Sequence, residues 1–281
     1  MAPFVDRRPH LFEEKDKSKL RANWFAMQGA AGSPSTPIVS TNLVMHLDAG
    51  NSSSYDGSSQ TWTDLQGNYN LIRGTTSGSD STDPTFNGTA GNRSSNEYFS
   101  VDGGDYFTAA NAYAGTIIRK MFRSDQAVTF ELWCYMASLA TCGFYGSLTA
   151  GGQAGGFFYA SYSADGKSAL SNAQSAPAYS DFLSTAAYSA SAWMQYGFAG
   201  KGDGSTTCRF FKNGTDIYTG TYSSNHTSGD SGTTPTFFGA TAVGHPPSGS
   251  RIAILRIYDA VLTTTQVTQN YSANKARFGL S

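Results

Sequence analysis

Residues 41–281 of this 281-residue chain predict an all-β fold, an antiparallel two-sheet sandwich with a short C-terminal helix. Short runs with the two-residue alternation of strands recur along this part of the chain and are separated by Gly, Asn and Ser. Between two of these runs, Asn213-Gly214 tolerates positive φ at both central turn positions, which is the strongest short-range hairpin signal. Helical periodicity is convincing only near the end. Many strands with one terminal helix favour a sandwich or jelly roll.

The predicted strands begin at Leu43–Asp48, where large apolar side chains recur at every second position. The clearest strand is 128–136, with nine residues in strict alternation. Further predicted strands are Tyr98–Val101, Gly156–Tyr162, Trp193–Ala199, Thr206–Phe211, Ile217–Tyr222, Thr236–Gly239 and Arg251–Tyr258. Near the C-terminus, Thr263 and Gln266 have the spacing of a capping box, which predicts the start of the helix.

Composition limits the classes of partner and of site. The net charge is −1 and only 14% of residues are charged, so neither nucleic acid nor an anionic membrane is a predicted partner. The three cysteines (Cys134, Cys142 and Cys208) match neither a disulfide ladder nor a zinc pattern, and free buried thiols are predicted. The N-terminal residues lack an apolar signal-peptide core, so we expect synthesis in a cytosol without export.

Residues 1–40 differ in kind from the rest and are predicted to form an extended or helical docking arm with a linker. Residues 1–21 hold ten charged side chains, and 29–37 is a Gly/Ala/Ser/Pro run typical of a linker. Leu11 to Gln28 has the spacing of a short helix, which would be marginal alone. A disordered tail is the alternative. An arm that orders on a partner would use apolar anchors, namely Phe4, Leu11, Phe12, Leu20, Trp24 and Phe25.

Six segments, in order, resemble the laminin G-like, concanavalin A-like lectin/glucanase sandwiches. They are LVMHLDAGNSSSY…TWTDLQGN (43–68), YFSVDGGDYFT (98–108), QAVTFELWCYM (126–136), WMQYGFAG (193–200), RFFKNGTDIYTG (209–220) and RIAILRIYDAVLTTTQVTQNY (251–271). The resemblance implies a jelly roll whose first and last strands lie together. It implies little about function, because the fold hosts lectins, glycanases, adhesion modules and virion proteins. The opening segment and the closing Asn270-Tyr271…Lys275…Arg277-Phe278 resemble those of tailed-phage structural proteins.

Glycan hydrolysis is not predicted. The glucanases of this fold carry three acids on one strand, and glycosidases need two carboxylates about 5–9.5 Å apart. Beyond residue 20 this chain has only two glutamates, Glu97 and Glu131, and the equivalent strand has Trp133 and Met136 where acids are required. The four histidines lack metal-ligand spacing.

No cofactor is predicted, although the oxygens of Asp102 and Asp105 are candidates for calcium. The alternative is that these two residues only form a turn.

Carbohydrate binding is predicted from one strand face. Glu131, Trp133 and Tyr135 alternate onto the same side of their strand, where rings could stack on a sugar and the carboxylate could accept hydroxyl hydrogen bonds. This prediction requires an open face. The alternative is a Trp/Tyr layer buried beneath loops.

Together these features predict a non-enzymatic phage virion protein, present in several copies or as a homo-oligomer, that is made in the host cytoplasm and incorporated into the particle. Capsid decoration or a head fibre is the first choice, and a tail or baseplate appendage comes next. The arm would bind a capsid or tail protein, and the sandwich would face host-surface carbohydrate. A free carbohydrate-binding lectin is the alternative. A glycan-active enzyme comes third, because the paired acids are absent.

Overall fold

The computed structural model describes residues 36–109, 116–121, 123–147, 156–161, 167–173, 179–223, 234–239 and 244–281. Within these ranges, sixteen strands form two antiparallel sheets, and a short helix α1 (Ile117–Lys120), a C-terminal helix α2 (Thr264–Asn274) and a 3-10 helix (Lys275–Phe278) accompany them. The predicted all-β sandwich is therefore confirmed. The predicted anchors of the docking arm, Phe4, Leu11, Phe12, Leu20, Trp24 and Phe25, lie outside the described residues.

The strands are β1 (Leu43–Asp48), β2 (Thr61–Trp62), β3 (Leu71–Arg73), β4 (Thr85–Asn87), β5 (Tyr98–Ser100), β6 (Phe107–Ala109), β7 (Val128–Tyr135), β8 (Cys142–Gly146), β9 (Gly156–Ser161), β10 (Lys167–Ala173), β11 (Tyr179–Ala187), β12 (Trp193–Gly200), β13 (Cys208–Lys212), β14 (Thr215–Gly220), β15 (Thr236–Phe237) and β16 (Arg251–Tyr258). The first sheet has the order β14-β13-β12-β7-β16-β5-β4, and β1 also pairs with β16. The second sheet has the order β11-β10-β9-β8-β15-β6-β3-β2. The first and last strands lie together, as the resemblance implies.

Local signals place the turns and the helix where the sequence predicts them. Asn213 and Gly214 have φ of 50° and 77° and connect β13 to β14 as a tight hairpin. The capping box of α2 is formed, with the Thr263 hydroxyl accepting from the Gln266 N–H. The strand predicted over 236–239 stops after two residues, because Phe238 and Gly239 both adopt positive φ.

The core lies between the two sheets and is rich in aromatic side chains. Alternate residues of β7, among them Phe130 and Leu132, point into it and are fully buried. The Trp62 ring lies 4.9 Å from Phe99 and 5.0 Å from Phe107, measured between ring centroids. Burying a side chain of this size stabilises the fold by about 2–3 kcal/mol.

The outer face of the first sheet is covered by the C-terminal helices, and residues just before β1 bind to them. The Gln269 side-chain amide donates to the Pro37 carbonyl at 2.8 Å, and the Val39 N–H donates to Asn270 Oδ1 at 2.8 Å. Val39 is 7% exposed and packs against Val267 of α2. The sandwich packing thus starts at Pro37, inside the predicted linker. The division into an arm and a sandwich stays a prediction. None of the described helices is long and apolar enough to cross a membrane.

Candidate functional site

Glu131, Trp133 and Tyr135 share the outer face of the first sheet, as their alternation on β7 predicts. Over Glu131 and Trp133 this face is closed rather than open. Trp133 packs with Ile254 of β16 and with Phe278 of the 3-10 helix. As a result Glu131 is 1% exposed and Trp133 is 0% exposed.

The Glu131 carboxylate connects three elements through a buried hydrogen-bond network. It accepts from Arg256 Nη1 at 2.8 Å, from Asn270 Nδ2 at 2.7 Å and from Trp133 Nε1 at 3.2 Å. The Asn270 side chain also accepts from the Val39 N–H. A charge this deeply buried is tolerated only when it is paired and hydrogen-bonded, so Glu131 holds α2 on the sheet.

The prediction of a sugar-binding face that includes Glu131 and Trp133 is therefore corrected, because neither side chain reaches the surface. The Trp133 ring stacks on Phe278 at 4.7 Å and on Tyr271 at 5.8 Å, with 3° between the planes of the second pair. The alternative, a covered aromatic layer, is the arrangement in the structure. The cover is the C-terminal helical segment rather than loops.

A second ionic group fixes the 3-10 helix over this layer. Arg277 Nη1 donates to Asp48 Oδ1 at 2.6 Å, and its other nitrogens donate to the carbonyls of Ser94 and Glu97. Burial would raise the pKa of Asp48, but the Arg277 charge and hydrogen bond outweigh it and hold this pKa below its ordinary value. The C-terminal helices are thus bound to the sheet at two buried carboxylates.

Tyr135 has a different environment, because it lies at the end of β7 beyond the edge of this cover. It is half-buried, and so are three neighbours on the same outer face, Tyr98, Trp193 and Arg251. Strand register brings them together, since Tyr135 pairs with Trp193 of β12 on one side and with Arg251 of β16 on the other. We call these four side chains the aromatic patch.

Two rings of the aromatic patch flank one cation. The Arg251 guanidinium lies 4.8 Å from the Tyr98 ring centroid and 4.7 Å from that of Tyr135, which is within cation–π range. Trp193 contacts both tyrosines edge-on, at 5.8 and 6.2 Å. Phe278 supports the Trp193 ring from the covered layer at 4.8 Å. The four side chains of the patch therefore hold one another in place through these contacts.

The polar tips of the aromatic patch have no protein partners within the part of the chain that the structure describes. The hydroxyls of Tyr98 and Tyr135, the Trp193 indole N–H and the Arg251 guanidinium each lack a hydrogen bond or ion pair there, and none of these atoms is buried. Half-exposed rings with free polar tips suit a ligand that offers both C–H faces and hydroxyl groups.

Sequence reasoning found one member of the aromatic patch and missed three. Tyr135 was predicted to lie on a binding face, whereas Tyr98, Trp193 and Arg251 were assigned only to strands. These residues come from four strands that are distant in sequence, and only the strand order of the first sheet makes them neighbours. The sequence does place Trp193 at the first position of a strand, but this position alone does not indicate which residues of other strands lie beside it.

Both glutamates beyond residue 20 are buried, and their carboxylates are hydrogen-bonded within the protein. Glu97 is 1% exposed, and its carboxylate accepts from the N–H groups of Ser94 and Thr89. These bonds lower its pKa, although burial acts in the opposite direction. Glu131 is bonded as described above. Neither carboxylate faces the aromatic patch or the solvent.

The calcium candidates Asp102 and Asp105 form a turn. Asp102 Oδ1 accepts from the Gly104 N–H and Asp105 Oδ2 accepts from the Asp102 N–H, both at 2.9 Å. Burial raises the pKa of Asp105 from 3.8 to about 6, and the nearby charges of Asp102 and Asp83 add to this effect. Among the described residues, no three His, Cys, Asp or Glu side chains are grouped so that they could hold a metal ion.

The two described histidines are half-buried, and the cysteines are buried. Burial and the adjacent Arg256 lower the pKa of His46 to about 3, and His245 stacks on Tyr106. His10 and His226 lie outside the described residues. The three cysteines are free and buried, in agreement with the sequence prediction.

Comparison with known proteins yields a family and a set of fold relatives. The sequence model of the concanavalin A-like lectin/glucanases superfamily matches residues 101–268. Comparison with curated proteins yields no match. Among solved structures, domain 4 of AbnA, a GH43 extracellular arabinanase from Geobacillus stearothermophilus, was determined in complex with arabinotriose. It is 18% identical, with a TM-score of 0.55 over 82% of this chain and 98% of that domain.

Two further solved structures come from larger proteins. Botulinum neurotoxin type C, whose cell entry depends on two ganglioside molecules, is 12% identical with a TM-score of 0.55, over 83% of this chain and 51% of the toxin chain. Trypanosoma rangeli sialidase in complex with sialic acid is 13% identical with a TM-score of 0.55, over 94% and 39%. This chain thus spans about half of the toxin chain and two fifths of the sialidase chain. At these identities the likeness is one of fold.

Proposed function

This chain belongs to the concanavalin A-like lectin/glucanases superfamily, and we propose that it binds carbohydrate on the aromatic patch without hydrolysing it. The observation that supports the proposal is the patch itself, in which three half-exposed rings and a guanidinium keep their polar tips free. Aromatic faces bind the C–H surfaces of sugars, while free N–H and O–H groups fix the sugar hydroxyls. The absence of hydrolysis belongs to the proposal, and the burial of Glu97 and Glu131 supports it, since a glycosidase needs two accessible carboxylates.

Fold relatives support this choice of ligand class. The arabinanase domain was solved with arabinotriose, the sialidase with sialic acid, and the toxin depends on gangliosides. Each of these ligands is a saccharide or carries one. They belong to those proteins, and they motivate a broad panel of saccharides as the probe for this chain.

A glycan array with one variant and one matched control tests the proposal. Trp193→Ala removes the largest ring of the patch and should weaken binding of any positive glycan about thirtyfold, the effect of losing an aromatic hot spot. Tyr106→Ala is the control, because Tyr106 is a half-buried aromatic residue next to β6 of the second sheet. Unchanged binding by folded Trp193→Ala would reject the patch, and a chain that binds no glycan would reject the function.

The finer part of the proposal concerns where the sandwich is mounted. We propose that residues 1–36 anchor it to a capsid or tail protein of a phage particle, as a decoration or fibre component facing the host. The contrast between the charged N-terminal segment and the sparsely charged sandwich supports this role. Pro37 and Val39, which follow the proposed anchor in the chain, bind α2 and belong to the sandwich.

Deletion of residues 1–36 tests the anchor. The shortened chain retains Pro37 and Val39, so the sandwich should unfold at the same denaturant concentration as the full chain. It should no longer be incorporated into particles of the phage that encodes it. The full chain with Trp24→Ala and Phe25→Ala is a milder variant, and it should also be incorporated less than the parent chain. Incorporation of the shortened chain at the normal copy number would contradict the anchor and leave the free lectin as the better description.

A further inference from the structure

Arg251 differs from five other arginines of the described residues in how its charge is used. Among the described residues, Arg73, Arg93, Arg209, Arg256 and Arg277 each bond to carboxylates, carbonyls or a hydroxyl. The Arg251 guanidinium has no such bond to any described residue and lies over the two tyrosine rings of the patch. No described residue therefore forms an ion pair with this half-buried positive charge.

The guanidinium is also held in place before any ligand arrives. Rings lie within 5 Å of it, from β5 and from β7, and its own strand lies between those two. Fixing a long side chain in advance removes much of the conformational entropy cost that binding would otherwise incur. The N–H groups of such a guanidinium keep the planar fork that matches a carboxylate or sulfate with two parallel hydrogen bonds.

The surroundings of Arg251 are polar but neutral. Its strand neighbours are Tyr135 and Ser100, and the Ser100 hydroxyl accepts from the Asn87 side-chain amide at 3.0 Å. Neither strand neighbour carries a charge, and the guanidinium is the only charged group among the four members of the aromatic patch. A single charge among rings, hydroxyls and amides suits a saccharide with one anionic substituent better than a polyanion such as nucleic acid.

We propose that the saccharide bound by the aromatic patch carries an anionic group, a carboxylate or a sulfate, which the Arg251 guanidinium binds. This inference rests on the proposed function and specifies its ligand class. In this arrangement the rings bind the sugar face, Arg251 binds the anionic group, and Ser100 and Asn87 on the β4–β5 side lie beside it for neighbouring hydroxyls. Hydrogen bonds to charged groups are stronger than neutral ones, so the anionic group should dominate selectivity.

Titration calorimetry with the full chain tests this inference, using 3′-sialyllactose, 3′-sulfolactose and neutral lactose as probes. We expect at least one anionic probe to bind about ten- to a hundredfold more tightly than lactose. The two anionic probes distinguish a carboxylate from a sulfate. Raising the salt concentration should weaken the binding of the anionic probe and leave the affinity for lactose nearly unchanged.

Three variants separate the possible outcomes. Arg251→Gln should reduce the affinity for the anionic probe about ten- to a hundredfold, and Arg251→Lys should restore only part of it, because lysine keeps the charge but loses the fork. Trp193→Ala should weaken every probe. If lactose binds as tightly as the anionic probes and Arg251→Gln has no effect while Trp193→Ala does, the patch binds neutral sugar and this inference fails alone. If no probe or array glycan binds, the proposed function fails with it.

Discussion

Replacing Glu131 with glutamine keeps the size of the side chain and removes its negative charge from the interface between β7 and α2. Arg256 is 1% exposed and would keep its charge without a counter-ion. The carboxylate now accepts from Arg256 and Trp133 on one oxygen and from Asn270 on the other. A glutamine has only one acceptor oxygen, so its amide N–H groups would face a donor at the second position.

The expected cost follows from these contacts. Breaking a buried ion pair by removing one partner destabilises proteins by about 3–5 kcal/mol. Glu131→Gln should fall near the lower end, about 3 kcal/mol, because one oxygen can still accept from Arg256. Urea unfolding at neutral pH measures this loss as a lower midpoint with an unchanged slope.

The double variant Glu131→Leu with Arg256→Met is the control, because it removes both charges together. It should be more stable than Glu131→Gln, since no unpaired charge remains buried. Folded Glu131→Gln should also keep its saccharide affinity within about threefold, because the carboxylate is covered by α2. A stability loss below about 1 kcal/mol, or loss of binding by the folded variant, would refute the structural role assigned to Glu131.

Two further predictions concern a titrating group and a turn. Asp105 has its pKa raised to about 6 in the folded chain, so its contribution to stability is fully present below about pH 4 and is lost as the pH rises through 6. Asp105→Asn should therefore match the parent near pH 4 and exceed it by about 1–2 kcal/mol at pH 7 in urea unfolding, and equal stability at both pH values would contradict the shift. Gly214→Ala should cost about 1–2 kcal/mol, because Gly214 has a φ of 77° and an added Cβ would lie 3.1 Å from Tyr271. Gly67→Ala is its control, with the same φ but open space around it, and equal losses in the two variants would show that the Tyr271 contact is irrelevant.

Much of the fold was predictable because its signals are local. The alternation over 128–136, the Asn213-Gly214 hairpin and the Thr263 capping box each depend on residues within a few positions of one another. Strands β10 and β11 were missed since they are rich in Ser and Ala and lack the apolar alternation that marks β7.

The site was less predictable because it depends on contacts between distant segments. Alternation on β7 placed Glu131, Trp133 and Tyr135 on one face correctly, but it could not reveal that α2 covers the first two. One of the bonds that hold this cover joins Asn270 to Glu131, which are 139 positions apart. Trp193 and Arg251 lie beside Tyr135 only because β7 stands between β12 and β16 in the sheet, and this strand order cannot be read from the sequence.

The central claim, that saccharide binds on the aromatic patch, is tested most directly by the tryptophan indole N–H signals in a nitrogen-15 correlation spectrum. Trp193 is half-exposed in the patch, whereas Trp62 and Trp133 are 0% exposed. Titration with a saccharide that binds should shift the Trp193 signal, assigned from its loss in Trp193→Phe, and leave those of Trp62 and Trp133 in place. Saturable binding with an unmoved Trp193 signal would contradict the claim and place the sugar elsewhere on the sandwich.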